Sequence, residues 1–241
     1  MTTGINVHEP RAIVIGSSGG IGAALTQSLS EQGFKVTGLA RSRNLALTDE
    51  VAFDITNEAS IAAAADALQG EGPFALILVA TGLLHDQDVM PEKSLNQLDQ
   101  TSLTRLFAIN AVGPALVAKH FVPLLPRHGR CIFAVLSARV GSISDNRLGG
   151  WYGYRASKAA LNMFIKTLAV EVGRTREEAI CVALHPGTVD TDLSKPFQKY
   201  VAPDRLFSPK ESALHLLKVV EQLTPDQSGG CFAWDGAEIR P

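Results

Sequence analysis

Residues 11–33, RAIVIGSSGGIGAALTQSLSEQG, place a short aliphatic run, a glycine-rich turn and a helix-patterned segment in unbroken succession. The run 11–16 has apolar residues at consecutive positions rather than alternate ones, as a strand does when both sheet faces are covered. Gly16, Gly20 and Gly22 then follow as G-x-x-x-G-x-G. Glycine lets the chain turn tightly and lets an anionic group approach the backbone closely. The N–H groups of Ser17, Ser18, Gly20, Ile21 and Gly22 lie where the next helix starts, and that end of a helix favours a phosphate. Between a first strand and a first helix, such a turn points to a dinucleotide.

The same alternation continues along the chain. Further strand-like runs occupy 34–40, 50–55, 74–80, 130–137, 179–185 and 230–235, and helix-patterned segments lie near 20–32, 57–69, 95–125, 152–173 and 209–223. The order predicts one α/β domain over 1–241, with a seven-stranded, mostly parallel sheet and helices on both faces. No repeat, low-complexity tract or linker interrupts it. The stretch 188–209, TVDTDLSKPFQKYVAPDRLFSP, resists any single periodicity; a loop of that length in a compact domain predicts a lid or binding loop, against a bland surface excursion.

Composition excludes several classes. A formal net charge of -2 with mixed signs offers no basic stripe for nucleic acid. Apolar runs such as 74–80 are too short to span a bilayer, and the first residues lack a signal-peptide pattern. Cys131, Cys181 and Cys231 lie fifty residues apart in strand-like runs. They predict buried thiols and a reducing cytoplasm rather than a disulfide framework. The six histidines show no ligand spacing, so no metal is expected.

Two further stretches narrow the chemistry. The second strand ends GLARSRN, with Arg41, Ser42 and Arg43 where an acidic residue would grip a ribose hydroxyl. A guanidinium there suits a 2′-phosphate, which favours NADP(H) over NAD(H). Asp54, in FDIT, is placed either to accept from an adenine amino group or to cap the helix near Asn57. In GWYGYRASKAALN (150–162), Tyr154 and Lys158 are four apart and share a helix face, whereas Tyr152 does not. An ammonium beside a phenol lowers its pKa toward the range where it can transfer a proton.

The glycine turn, Ser137 after a mid-chain strand, Y-x-x-x-K and a later HPGTVDT together resemble the short-chain dehydrogenase/reductase family over essentially the whole chain. HDQDVMPEKSL (85–95) and SARVGSISDNRLGGWYGYRASKAALN (137–162) are similar to its C-factor-like branch. The resemblance implies a doubly wound Rossmann fold and an oxidoreductase that interconverts a carbonyl compound and an alcohol. It implies that Ser137 polarises the carbonyl, Tyr154 acts as general acid/base, and Lys158 tunes Tyr154 and holds the nicotinamide ribose. Asn110, in RLFAINAVGPALVAKHF, would complete the set. Pro114 has no N–H, so Asn110's carbonyl should be freed to bind a water leading to Lys158. A purely structural proline kink is the alternative.

The family pattern also puts Ile55, Ala80, Thr81 and Gly82 along the cofactor, although its usual asparagines after the fourth strand are replaced by Val79-Ala80-Thr81-Gly82. In HPGTVDT, Pro186 and Gly187 would fix a turn, leaving backbone near Val189 free for the nicotinamide amide, with Thr191 nearby. Leu83, Leu84, the 139–150 loop and the 188–209 lid would form the substrate pocket. Helices 95–125 and 152–173 would build a homodimer or homotetramer. A regulatory nucleotide-binding protein, or a lyase or epimerase using the cofactor transiently, remain alternatives on the same fold.

Overall fold

In the computed structural model, which describes residues 9–41 and 50–241, Arg11–Ile15 forms strand β1 inside a seven-stranded sheet. It leads into helix α1 (Gly20–Glu31), then β2 (Lys35–Ala40), β3 (Glu50–Ala52), α2 (Glu58–Leu68) and β4 (Leu76–Val79). Helices α3 (Gln100–Phe107) and α4 (Gly113–Phe121) precede β5 (Cys131–Leu136), and α5 (Tyr152–Val172) precedes β6 (Ala179–His185). Two-residue strands β7 (Thr188–Val189) and β8 (Leu206–Phe207), helix α6 (Pro209–Gln222) and β9 (Cys231–Ala233) complete the chain.

The sheet order is β3-β2-β1-β4-β5-β6-β9, and every strand pair in it is parallel. The expectation of a mostly parallel sheet thus understates the regularity. The central strands β1, β4, β5 and β6 are apolar on both faces because each face meets helices. Ile13, Ile15, Ile77, Val79 and Phe133 pack with Ile61, Val117, Phe121 and Ile165 on one side. Ala12, Val14, Leu76, Leu78 and Ile132 pack with Leu25, Leu29, Leu216 and Val220 on the other. The two sets alternate residue by residue, as the pleat requires.

The chain runs outward from β1 to β3, then returns to place β4 on the other side of β1. The carboxyl ends of β1 and β4 therefore open a crevice where the winding reverses, the usual ligand position in such sheets.

Two segments depart from their expected form. The span 95–125 is divided rather than one helix: a 3-10 turn at Leu95–Gln97, then α3, a π turn at Ala108–Val112, then α4. Pro114 cannot donate, and the Gly113 N–H reaches back five residues to the Ala108 carbonyl, so the helix widens there. By length and composition Gln100–Leu124 could cross a membrane, which the short-run argument overlooks; half of its most apolar window is buried inside this fold. The irregular stretch 188–209 is built of the β7–β8 pair and 3-10 turns at Lys195–Tyr200 and Pro203–Arg205. It ends in a capping box, with Ser208 and Glu211 closing the start of α6.

The glycine turn also sets a packing limit. A Cβ on Gly22 would stand 2.0 Å from the Gly16 carbonyl oxygen. Gly22→Ala should therefore destabilise the protein by about 3 kcal/mol in urea unfolding, the upper end for forced overpacking. Gly70→Ala, where an added Cβ meets nothing within 4 Å, should stay within about 0.5 kcal/mol of the parent.

Candidate active site

The glycine turn is tied to the end of β2: the Gly16 and Ser17 N–H groups donate to the Leu39 carbonyl at 2.7 and 3.3 Å. Gly16 has φ +86, and a Cβ there would lie 3.0 Å from both the Ala80 oxygen and the Thr81 methyl. Only glycine lets the end of β1 and the end of β4 approach this closely. The cleft beginning there has a volume of about 690 Å³. Of the residues expected to bind a cofactor, Gly16, Ser18, Arg41, Asp54, Ile55, Ala80, Thr81 and Gly82 line it. Phe53, His85, Asp86, Arg105 and Ile109 line it as well; they lie in the stretches FDIT, HDQDVMPEKSL and RLFAINAVGPALVAKHF, but were not singled out there.

Other expected residues sit behind or beside the cleft. Ser17 is fully buried, Ile21 packs on the α1–α6 side of the sheet, and Gly22 abuts Gly16. A Cβ on Gly20 would come within 2.7 Å of the Thr191 methyl, so the lid strand's exit rests on the glycine turn. Ser42 and Arg43 lie outside the described residues.

Arg41 is exposed at the cleft, close enough to Asp54 to help lower its pKa. The larger cause is Thr56, whose N–H and hydroxyl both donate to Asp54 Oδ1, at 2.9 and 2.8 Å. The alternative that Asp54 caps α2 is excluded, because Asn57 Oδ1 accepts from the Ala59 and Ser60 N–H groups. Thr81 Oγ1 is buried and has no partner among the described residues. A buried hydroxyl left without a partner costs free energy.

At the inner end, α5 brings Tyr154 and Lys158 together as the four-residue spacing predicts. Both are buried, and Nζ lies 5.8 Å from the phenol ring centre. Nζ donates to the Leu136 carbonyl at 2.8 Å, so the amine is anchored to the strand end that carries Ser137. Burial pushes the Tyr154 phenol up to about 12 and the Lys158 ammonium down to about 8. The expected lowering of the phenol by its neighbour is absent from the protein atoms, because desolvation outweighs an amine directed elsewhere.

Asn110 also differs from expectation. Its side chain clamps Leu83, accepting from the N–H at 2.7 Å and donating to the carbonyl at 2.7 Å, and it donates to Ser157 Oγ at 3.1 Å. Ser157 in turn donates to the Tyr154 carbonyl at 2.8 Å. Asn110 is thus a brace between the β4 loop and α5, in addition to any role for its carbonyl. A Cβ on Gly82 would lie 3.7 Å from both Asn110 Oδ1 and Lys158 Nζ, so these three meet at the cleft floor.

The turn after β6 is more committed than expected. The Pro186 carbonyl accepts from the Ser212 hydroxyl at 2.9 Å, and Gly187 has φ +80 against the Phe207 ring. Near the backbone expected to meet the nicotinamide amide, the Val189 carbonyl accepts from the hydroxyls of Ser194 and Thr191. His185 is driven down to about 4 by burial and stays neutral.

A model of the short chain dehydrogenase family matches residues 10–201. The chain belongs to the short-chain dehydrogenases. It is 31% identical over 233 residues to a 1-hydroxy-2-glutathionyl-2-methyl-3-butene dehydrogenase of Rhodococcus sp. (strain AD45), covering 95% of this chain and 98% of that one. It is 36% identical over 146 residues to C-signal of Myxococcus xanthus, covering 61% of this chain and 82% of the relative. Among solved structures, a short-chain dehydrogenase/reductase from Burkholderia multivorans with bound NADP superposes with a TM-score of 0.82 at 26% identity, covering 97% of this chain and 100% of the other.

Three contributors to this short-chain dehydrogenase's site lie within the quoted stretches, but their roles are set by contacts distant in sequence. Glu92, from the loop before α3, is 4% exposed, and both of its carboxylate oxygens accept from the Gly153 N–H, at 3.3 and 3.2 Å. It serves as the missing cap of α5, whose own N-cap residue Trp151 is left-handed and makes no side-chain cap bond. Trp151 stacks edge-on with Tyr154 at 6.2 Å and with Phe197 of the lid at 5.0 Å. The lid is further pinned by His85, whose Nε2 is 3.1 Å from the Asp192 carbonyl. Leu83, Leu84, Val140, Leu193 and Phe197 pack with Tyr154 in one apolar cluster. The capping role of Glu92, within HDQDVMPEKSL, is invisible in sequence because its partner is a backbone N–H sixty-one residues away.

The buried pair makes stability depend on pH. Lys158 has a folded pKa of about 8 against an ordinary 10.5, so across that interval the unfolded chain binds more protons and stability rises with pH. Tyr154 acts oppositely between 10.0 and about 12, where the folded form holds the proton. From about pH 8 to 10 the parent should therefore gain stability relative to Lys158→Met, measured as urea midpoints; a constant difference contradicts the burial of the charge.

Proposed function

We propose that this short-chain dehydrogenase is an NADP(H)-dependent oxidoreductase that interconverts a carbonyl compound and its alcohol. The reading is carried by one convergence: Asn110 Oδ1 and Lys158 Nζ both approach Gly82, which lines the cleft that starts at the glycine turn, while the same Nζ lies beside the Tyr154 ring and donates to the Leu136 carbonyl next to Ser137. The cleft fits a dinucleotide on its own terms. It begins at a left-handed glycine against which Ala80 and Thr81 pack too closely for a Cβ, and it opens beside Arg41. NADP(H) bound there supplies or accepts the hydride. A relative in structure with bound NADP, together with Arg41, supports the phosphorylated form.

The residues of the chain then divide the remaining work. Ser137 donates to the substrate oxygen and stabilises the charge that grows on it. Tyr154 delivers the proton to that oxygen in reduction and removes it in oxidation. Its phenol, high when buried, must be brought down, and Lys158 is the cation one helical turn away. The Asn110 carbonyl, next to the π turn, lets water resupply the proton through Lys158. Leu83, Leu84, Val140 and Phe197 exclude bulk water and favour an apolar substrate.

The reading extends to partner and setting. Val112, Met163, Phe164 and Val170 are exposed large apolar side chains on the two helical regions expected to pack between subunits, which supports a homodimer or homotetramer. Cys131, Cys181 and Cys231 are all free and buried, in keeping with a reducing cytoplasm. The likeness to C-signal gives a second reading, a regulatory role in which the nucleotide is bound without turnover.

Tyr154→Phe separates the two readings. NADPH consumption with aldehydes, ketones and quinones should fall by about three orders of magnitude while NADPH binding persists. A parent enzyme that turns over none of these carbonyls favours the regulatory role. Arg41→Ala should reduce the preference for NADPH over NADH by at least about tenfold in kcat/KM, and equal use of both by the parent would reject the phosphate assignment.

A further inference from the structure

Helix α5 carries a third polar residue on the face of Tyr154 and Lys158. Asn162 follows Lys158 by four positions, so the three form one stripe at helical spacing. Its side chain meets Ser137: the Ser137 hydroxyl donates to Asn162 Oδ1 at 2.7 Å, and Ser137 is only 4% exposed. Among the described residues, Ser137 is the hydrogen-bond partner of the Asn162 amide. The amide's other side borders a separate cavity of about 480 Å³ that also touches Gly141, Met163 and Cys231.

A serine hydroxyl has one proton and two acceptor sites. While that proton is given to Oδ1, Ser137 can only accept, and it has nothing to offer a substrate carbonyl oxygen. A primary amide resolves this, because its two ends have nearly the same shape and opposite hydrogen-bond character. Rotated about its last side-chain bond, Asn162 presents Nδ2 to the serine oxygen and releases the serine proton toward the substrate. We infer that Asn162 is a positioning residue that sets whether Ser137 is a hydrogen-bond donor to the reacting oxygen. The inference rests on the reading that Ser137 polarises the carbonyl. Asn162 itself acts through the serine, without touching substrate.

Aspartate at this position is the same size but, when ionised, has two acceptors and no donor. Asn162→Asp should hold the serine proton permanently. With NADPH and whichever aldehyde, ketone or quinone the parent reduces, kcat at neutral pH should fall about 100-fold, the scale of losing one donor to a developing oxyanion. The KM for NADPH should not move. As pH falls and the new carboxyl protonates, it regains a donor, so kcat relative to the parent should recover. Asn162→Ala, which neither fixes nor frees the proton, should lose only about tenfold.

In a Ser137→Ala background, neither Asn162 change should lower kcat further, because the group they act on is gone. Unfolding midpoints accompany each variant, and a merely structural asparagine would make Ala worse than Asp and leave both losses independent of pH. If Ser137→Ala is severely impaired while Asn162→Asp matches the parent at every pH, the inference fails and the assigned function stands. If Ser137→Ala turns over normally, or the parent reduces no carbonyl, the functional reading fails first and takes the inference with it.

Discussion

The bond from Lys158 Nζ to the Leu136 carbonyl holds the site together. It joins the middle of α5 to the last residue of β5, and the next residue along that strand is Ser137. The position of Tyr154 relative to Ser137 is therefore set by buried bonds between one helix and one strand end, this one and the bond from Ser137 to Asn162. Burial of the ammonium is costly, and its lowered pKa records that cost. One carbonyl acceptor offsets part of it. An amine so readily neutralised is also one that can pass a proton, which links the stability of this region to its chemistry.

Around that contact, the site is braced from both directions. Asn110 fastens the loop after β4 to α5 through Leu83 and Ser157, at the π turn forced by Pro114. Glu92 fastens the start of α5 from the loop before α3, using both oxygens on one backbone N–H. A left-handed Trp151 turns the chain into the helix and leaves its ring between Tyr154 and Phe197. The catalytic helix is thus fixed at its first turn, at its second turn and, through Asn162, at its third. Rigid support of this kind is what keeps donor and acceptor geometry within the tolerance that proton transfer demands.

Much of this was legible in the primary structure. Strand and helix positions follow from unbroken aliphatic runs between helical patterns, since a sheet covered on both sides has no polar face to confuse the pattern. The pairing of Tyr154 with Lys158 follows from helical pitch, and the phosphate-binding turn from three glycines at fixed spacing. Other readings failed for local reasons. Asp54 looked like a helix cap until Asn57 took that place. The expected depression of the Tyr154 phenol did not allow for how completely the fold dehydrates it.

The sequence by itself determined the architecture, the family and the residues that line one face of α5, because periodicity and motif spacing act between neighbours along the chain. Tertiary structure decided the rest: that Lys158 spends its proton on Leu136, that Asn110 clamps Leu83, that Glu92 caps a helix far from it in sequence, and that Ser137 answers to Asn162. Each of these is a hydrogen bond between elements distant in sequence, and no local rule of spacing encodes which distant group a buried donor will meet.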